Sequence, residues 1–155
     1  MPNQNKQWIA ENFFMSSEIS ETYFEELEEL FFFNPNQGKV HNDLKQTIET
    51  YGYPCIRKNN NRLYLQFESG QETQTLYLFR DGCIPELAGV VVYIREQSSL
   101  RVLYIGLIPQ LTYSVTYERC LLLDIISALR VIGKKLKDVR KIEFGTSKGW
   151  IRLSV

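Results

Sequence analysis

Two short amphipathic helices are predicted in the first third of the chain. Between residues 21 and 33, apolar side chains recur at helical spacing with glutamates at the opposite positions, and Ser20 stands where an N-cap is expected. A second helix is predicted over 43–51, and Gly52 is expected to end it in the left-handed conformation. The pattern over residues 1–17 does not separate a first strand from a frayed helix.

From Tyr53 onward the hydrophobic pattern changes from helical to alternating. The strands predicted from this point on are separated by short connections, and connections of this length join antiparallel neighbours. The fourth and fifth predicted strands are apolar on both faces, which indicates that layers cover them above and below, and only helices remain to supply those layers. The five strands are predicted over 53–58, 62–68, 74–80, 87–95 and 100–108.

A long helix over 116–137 is predicted as one of these layers, because apolar residues recur along it at helical spacing and lysines fall in its last turn. Two short strands follow, over 141–145 and 150–155. The whole pattern predicts an α/β fold of α+β-type order. It comprises a mixed, mostly antiparallel sheet of about six or seven strands, with its faces covered by two N-terminal helices and one long helix in the C-terminal half.

Composition and charge narrow the class of protein. The 155 residues fit a single domain, 1–155, with a helical part over 1–52 and the sheet with its long helix over 53–155. A net charge of zero argues against a nucleic-acid-binding protein. Residues 1–50 hold three lysines against nine acidic residues, a balance of −6 that the rest of the chain offsets. Oppositely charged faces that dock the N-terminal helices explain this asymmetry, and a head-to-tail contact between subunits is the alternative.

Cysteine, histidine and hydropathy signals exclude several kinds of site. The three cysteines, Cys55, Cys83 and Cys120, form no CxxC motif, which favours a reducing compartment and buried thiols. His41 is the single histidine and lies in the loop before the second predicted helix, so neither a metal site nor a catalytic triad is predicted. No apolar run approaches the ~18 residues that a membrane span requires. A cytoplasmic protein without membrane contact is expected.

The segment Glu86–Ile142 resembles the central part of the GNAT superfamily, the acyl-CoA-dependent N-acyltransferases. It contains an apolar strand of the form LxGxxxxxxE, from Leu87 to Glu96, and a second apolar strand that ends at Pro109. A long helix and a short strand come next, as they do in that family. The resemblance implies a similar fold and binding of CoA or acyl-CoA.

In this family a bulge splays the second strand from its neighbour, and the strand's backbone binds the pantetheine arm of CoA. The resemblance therefore implies a cofactor-binding stretch at Ile105, Gly106 and Leu107. Glycine inside a strand often marks a bulge, so Gly106 is the candidate position. The alternative is that Gly106 makes room for a bulky residue from a helix.

The loop after the proline departs from the family pattern. Family members hold the CoA pyrophosphate on a glycine-rich loop, whereas Gln110–Thr116 contains no glycine. By position, Ser114 and Thr116 stand where the two glycines would lie. Their hydroxyl groups are candidate ligands for the pyrophosphate, or simple helix caps.

Acyl transfer to an amine requires a base and an acid. The candidates are Glu96, Glu143, Tyr104 and Tyr117, and each also has an ordinary explanation as a polar strand position or a residue at the core edge. Two functions remain open. The first is a divergent GNAT-like protein that binds acyl-CoA or a related small ligand, with or without acyl transfer. The second is a non-catalytic protein-interaction or regulatory domain on the same scaffold, with homodimerisation through aromatic surface such as Phe31–Phe33.

Overall fold

The computed structural model describes residues 6–31, 47–71, 73–108, 115–116, 119–146 and 149–155. Within them, a 3₁₀ turn over Glu21–Tyr23 leads into helix α1 (Phe24–Phe31), residues 47–51 form the helical segment α2, and helix α3 spans Leu121–Lys135. The strands of the described residues are β1 (Lys6–Ala10), β2 (Phe13–Ser16), β3 (Pro54–Asn59), β4 (Arg62–Phe67), β5 (Gln74–Arg80), β6 (Glu86–Glu96), β7 (Ser99–Leu107), β8 (Val115–Thr116), β9 (Arg119–Cys120), β10 (Lys141–Thr146) and β11 (Gly149–Ser154).

Seven of these strands form one mixed sheet in the order β1-β2-β5-β6-β7-β10-β11. β7 and β10 are parallel and are joined through α3, as a parallel pair requires a crossover connection. The other neighbours in the sheet are antiparallel. The prediction of a mixed, mostly antiparallel sheet is confirmed, and β6 and β7 occupy its centre with a partner on each side.

Both faces of the sheet are covered, because apolar residues of β6 and β7 pack into two separate cores. On one face, α1, α2 and β4 contribute buried side chains, namely Leu27, Leu30, Tyr51, Leu63, Leu65 and Phe67. On the other face, α3 contributes Ile125, Ala128 and Leu129. The prediction that only helices supply the cover is wrong, since the β3–β4 hairpin forms part of one layer. Its alternating pattern leaves one side of β4 exposed.

Several predicted element boundaries change. β1 and β2 lie in the stretch 1–17 that the pattern left open. β4 and β5 are not partners, because β5 pairs with β2 and β6 instead. The predicted helix over 116–137 is wrong at both ends, and its residues 116 and 119–120 lie in the small β8–β9 ladder. Val115 and Thr116 are β-branched, which favours extended backbone over helix.

The N-terminal helix signals are confirmed where the structure describes them. The Ser20 side chain caps the 3₁₀ turn by accepting a hydrogen bond from the Thr22 backbone N–H. Gly52 follows α2 with a φ of +83°, the left-handed conformation expected of it. The predicted helical residues 32–33 and 43–46 lie outside the described residues. None of the helices in the described ranges is long and apolar enough to cross a membrane.

Candidate functional site

β7 changes its pairing partway along its length. On one edge it pairs with β10 from Ser99, opposite Lys141, as far as Val102, opposite Phe144. On the other edge it remains paired with β6 as far as Leu107, opposite Gly89. The second half of β7 is therefore held by β6 and lies outside the register with β10.

A β-bulge in the β6–β7 pairing lies next to the point where the pairing of β7 with β10 ends. The register between β6 and β7 shifts between Val92 and Tyr93, which makes Leu103 the extra residue of β7. The Leu103 carbonyl accepts a 2.8 Å hydrogen bond from the Thr47 hydroxyl of α2, which is fully buried. The prediction of a bulge at Gly106 is wrong, because Gly106 pairs regularly with Val90.

Gly106 instead makes room for the ring of Tyr104. A Cβ atom at Gly106 would lie 2.6 Å from the Tyr104 hydroxyl oxygen and 2.7 Å from Cε1. The Tyr104 hydroxyl donates a 2.7 Å hydrogen bond to the Leu30 carbonyl of α1. Close approach was one of the two predicted explanations of Gly106, although the approaching residue belongs to β7 itself and not to a helix.

The predicted cofactor-binding residues occupy different environments. Ile105 is half-buried and packs against the core under α3, and Leu107 is buried in the same core. The backbone of Thr116 lies in β8, whereas its side chain, Ser114 and Tyr117 lie outside what the structure describes. The prediction that these residues bind CoA stays a prediction.

Two of the predicted acid–base candidates meet at a shared arginine. Arg101 Nη1 lies 3.0 Å from a Glu96 carboxylate oxygen, and Arg101 Nη2 lies 3.3 Å from a Glu143 carboxylate oxygen. The parallel register places Glu143 directly opposite Arg101, and the antiparallel register of β11 places Arg152 opposite Glu143. Arg152 Nε contacts the same Glu143 oxygen at 3.4 Å. Neighbouring strands thus align a row of alternating charges.

Two aromatic side chains complete this cluster. The Tyr51 hydroxyl donates to Glu96 at 2.9 Å and accepts a 3.1 Å hydrogen bond from Arg101 Nη1. The Arg101 guanidinium also lies 4.4 Å from the centre of the Trp150 ring, a cation–π contact. Sequence reasoning did not single out Arg101 as a site residue. The available signal was a charged residue between Leu100 and Val102, in a strand that is otherwise apolar on both faces.

The surroundings of Glu143 keep its carboxylate ionised. Burial acts to raise the pKa of Glu143, but the hydrogen bond from Ser99 and the charge of Arg101 outweigh it and hold the pKa below its ordinary value of 4.5. Burial raises the pKa of the Tyr104 hydroxyl. Glu143 as a base with a lowered pKa and Tyr104 as an acid with a raised pKa are poorly matched to proton transfer near neutral pH. The charge cluster around Arg101, to which Tyr104 does not belong, holds charges at fixed positions instead.

A polar cleft of about 620 Å³ opens beside this cluster, at the end of the sheet where β6 turns into β7. It lies at the opposite end of β7 from Leu107, and at ~3.3 Å per residue the two ends are roughly 26 Å apart. We call it the β7-start cleft. Its lining residues are Glu96, Gln97, Ser98, Ser99, Arg101, Lys141, Glu143 and Arg152.

The cysteines differ from the predicted buried thiols. Cys83 is exposed in the connection after β5, next to Ile84, which is 83% exposed. Cys55 is half-buried, and its thiol donates to the Gln66 carbonyl at 3.3 Å. The Cys120 side chain lies outside the described residues. The prediction is therefore wrong for Cys83, because a connection between strands places its side chains at the surface.

Comparison of the chain with protein-family models, with curated proteins and with solved structures finds no match. The likeness of Glu86–Ile142 to the GNAT superfamily stays a prediction. The features that bear on function are the end of the β7–β10 pairing at Val102 and the charge cluster at the start of β7.

Replacing Gly106 by alanine should destabilise the fold. The added methyl group would overlap the Tyr104 ring, whose hydroxyl is tied to α1, and overpacking of this kind costs about 1–3 kcal/mol. Urea denaturation of the full chain measures the change in the free energy of unfolding. Gly82→Ala is the matched control, because the nearest atom to its new methyl group would be the Ile84 carbonyl oxygen, at an ordinary contact distance of 3.6 Å. Equal stabilities of the two variants would contradict the role assigned to Gly106.

The stability that Glu143 contributes should depend on pH. Its folded-state pKa is lowered, so this contribution is present above about pH 4.5 and is lost as the pH falls through the folded value. The wild type should therefore exceed Glu143→Gln in stability near pH 6, and the difference should shrink towards pH 3. Urea denaturation across this range measures both proteins. Glu11→Gln, at an exposed turn, should change stability by less than ~0.5 kcal/mol throughout. A difference for Glu143→Gln that is constant with pH would refute the lowered pKa.

Proposed function

We propose that the chain is a divergent GNAT-like domain that binds CoA, acyl-CoA or a related small ligand and does not transfer the acyl group. The observation that carries this proposal is that the pairing of β7 with β10 ends at Val102, next to the Leu103 bulge, while β7 continues to Leu107. A strand edge outside a pairing register can present main-chain groups to an extended ligand. The pantetheine arm is such a ligand, since it is a linear chain with amide groups.

The first residues of β7 after Val102 form hydrogen bonds with the N-terminal helices. Thr47 donates to the Leu103 carbonyl, and Tyr104 donates to the Leu30 carbonyl. The proposed ligand contacts therefore centre on Ile105, which is half-buried and reaches solvent. The family resemblance extends the predicted contacts with the pantetheine arm to the neighbouring Gly106 and Leu107. Bound acyl-CoA would supply an activated thioester, and the chain would supply binding.

Three observations support binding without transfer. The Tyr104 hydroxyl is already a donor to α1, and burial raises its pKa. Glu143 is held by Arg101 and Arg152 with a lowered pKa. Glu96 is bonded to both Tyr51 and Arg101. The described candidates are thus used in fixed contacts, and both carboxylates lie towards the opposite end of β7 from Ile105–Leu107.

The second candidate function is protein interaction. β1 and β11 are the edge strands of the seven-stranded sheet, and they carry Trp8 and Ile151, each 53% exposed. Edge strands with exposed apolar side chains can pair with another chain. The proposed dimer surface at Phe31–Phe33 lies outside the described side chains and stays a prediction.

Isothermal titration calorimetry of the full chain with CoA and with acetyl-CoA should give saturable binding with a Kd below about 1 mM. Thr116→Glu should weaken binding of both at least ~10-fold, because the family resemblance places Thr116 beside the CoA pyrophosphate and like charges repel. Ser17→Glu adds the same charge at an exposed position after β2 and should leave Kd within about twofold. Thiol release from acetyl-CoA should not increase when amines are added.

Absence of binding at millimolar CoA would remove the proposal. Binding that Thr116→Glu and Ser17→Glu weaken equally would place the ligand elsewhere. Amine-dependent thiol release would contradict the statement that no transfer occurs, while leaving the binding intact.

If the edge strands mediate self-association, sedimentation velocity should show a species heavier than the monomer at high protein concentration. Ile151→Lys should then shift this species towards monomer, because a charge on an edge strand opposes strand pairing. Glu68→Lys, at an exposed position just after β4 and outside the seven-stranded sheet, is the control. A monomer at every concentration would eliminate self-association through the edge strands.

A further inference from the structure

The acidic residues of the β7-start cleft are already neutralised within the protein. Glu96 contacts Arg101 and Tyr51, while Glu143 contacts Arg101 and Arg152. The Arg101 side chain is only 18% exposed, so its charge is used internally. The cleft lining has three basic and two acidic residues, so one positive charge is in excess, and the more exposed basic side chains lie towards the solvent.

Lys141 and Arg152 are those exposed members. Lys141 begins β10 two residues before Glu143, so both side chains lie on the same face of the sheet. Arg152 is 64% exposed and contacts Glu143 through Nε at 3.4 Å. The structure thus places an ammonium and a guanidinium at the mouth of one cleft, with the guanidinium oriented by a buried carboxylate.

The turn between β6 and β7 adds hydroxyl groups to this mouth. Ser98 and Ser99 both line the cleft, and Ser98 is exposed. The Ser98 carbonyl accepts hydrogen bonds from the backbone N–H groups of Arg140 at 2.7 Å and Lys141 at 3.3 Å. These bonds fix the turn against the start of β10, so the Ser98 hydroxyl and the Lys141 ammonium border the same opening.

We propose that the β7-start cleft binds the phosphate group of a small phosphorylated molecule, between Lys141 and Arg152 and beside Ser98. Two cations and a hydroxyl donor suit a dianion with several acceptor oxygens better than they suit a single carboxylate. The volume of about 620 Å³ lies in the range of small-molecule sites and exceeds what phosphate alone would fill. The polar lining favours a polar remainder, such as a sugar.

This site is separate from the CoA-binding proposal, because it lies at the other end of β7 and uses different residues. Its failure and the failure of CoA binding are therefore distinguishable. CoA also carries phosphate groups, so the two sites must be tested against each other. Lys141→Ala should leave the Kd for CoA unchanged if CoA binds along Ile105–Leu107.

The test is isothermal titration calorimetry of the full chain with inorganic phosphate and with ribose 5-phosphate, at constant ionic strength. Ribose 5-phosphate should bind saturably and more tightly than inorganic phosphate. Lys141→Ala and Arg152→Ala should each weaken ribose 5-phosphate at least ~10-fold. Lys134→Ala, which removes an exposed lysine of α3 outside the cleft, should change nothing. Thermal unfolding verifies that each variant is folded. If Arg152→Ala is unfolded, the affinity of Lys141→Ala alone decides the test.

Three results would overturn the proposal. The first is an absence of saturable binding by either phosphate compound. The second is binding that Lys141→Ala leaves unchanged, which would place the phosphate elsewhere. The third is equal affinity for succinate at the same ionic strength, which would indicate nonspecific anion attraction.

Discussion

The hydrogen bond from Thr47 to the Leu103 carbonyl is the contact on which the arrangement of this protein depends. A bulge in a strand buried on both faces leaves a backbone group without its ladder partner, and such a group must be satisfied inside the protein. The buried Thr47 hydroxyl does so, and it attaches α2 to the sheet. The next residue, Tyr104, attaches α1 through the Leu30 carbonyl, and Gly106 leaves the space for its ring.

This bulge divides β7 into two halves with different chemistry. Before it, β7 is paired on both edges and carries Arg101, which organises a row of charges across neighbouring strands. After it, β7 remains paired with β6 as far as Leu107. The first half is suited to holding charges at fixed positions, and the second to contacting an extended ligand through its backbone. We propose a phosphate site at the first half and a CoA-like ligand at the second.

Strands β5 to β7 were predictable because their signals are local, whereas β1 and β2 lie in the stretch 1–17 that the pattern left open. β5 begins and ends at the predicted residues, and the apolar character of β6 and β7 correctly indicated cover on both faces. The bulge was not predictable at Leu103, because its position depends on the register between two strands. Glycine is only a statistical marker of bulges, and at Gly106 the missing Cβ serves the packing of Tyr104.

The candidate site was predictable in its parts but not as an assembly. Glu96 and Glu143 stood out as acidic residues at strand positions, yet their shared partner is set by the parallel pairing of β7 with β10, which are far apart in sequence. Another non-local pairing, that of β5 with β2, accompanies the placement of the β3–β4 hairpin outside the main sheet. Patterns along the chain identify strands, whereas neighbours in a sheet follow from packing of the whole domain.

The most direct test of the central claim is an NMR titration of the ¹⁵N-labelled full chain with CoA. The account predicts that the largest amide shifts fall on Ile105, Gly106 and Leu107, with small shifts at Lys141 and Arg152. Shifts concentrated at the β7-start cleft, or no shifts at all, would contradict the assignment of the second half of β7 as a ligand-binding edge.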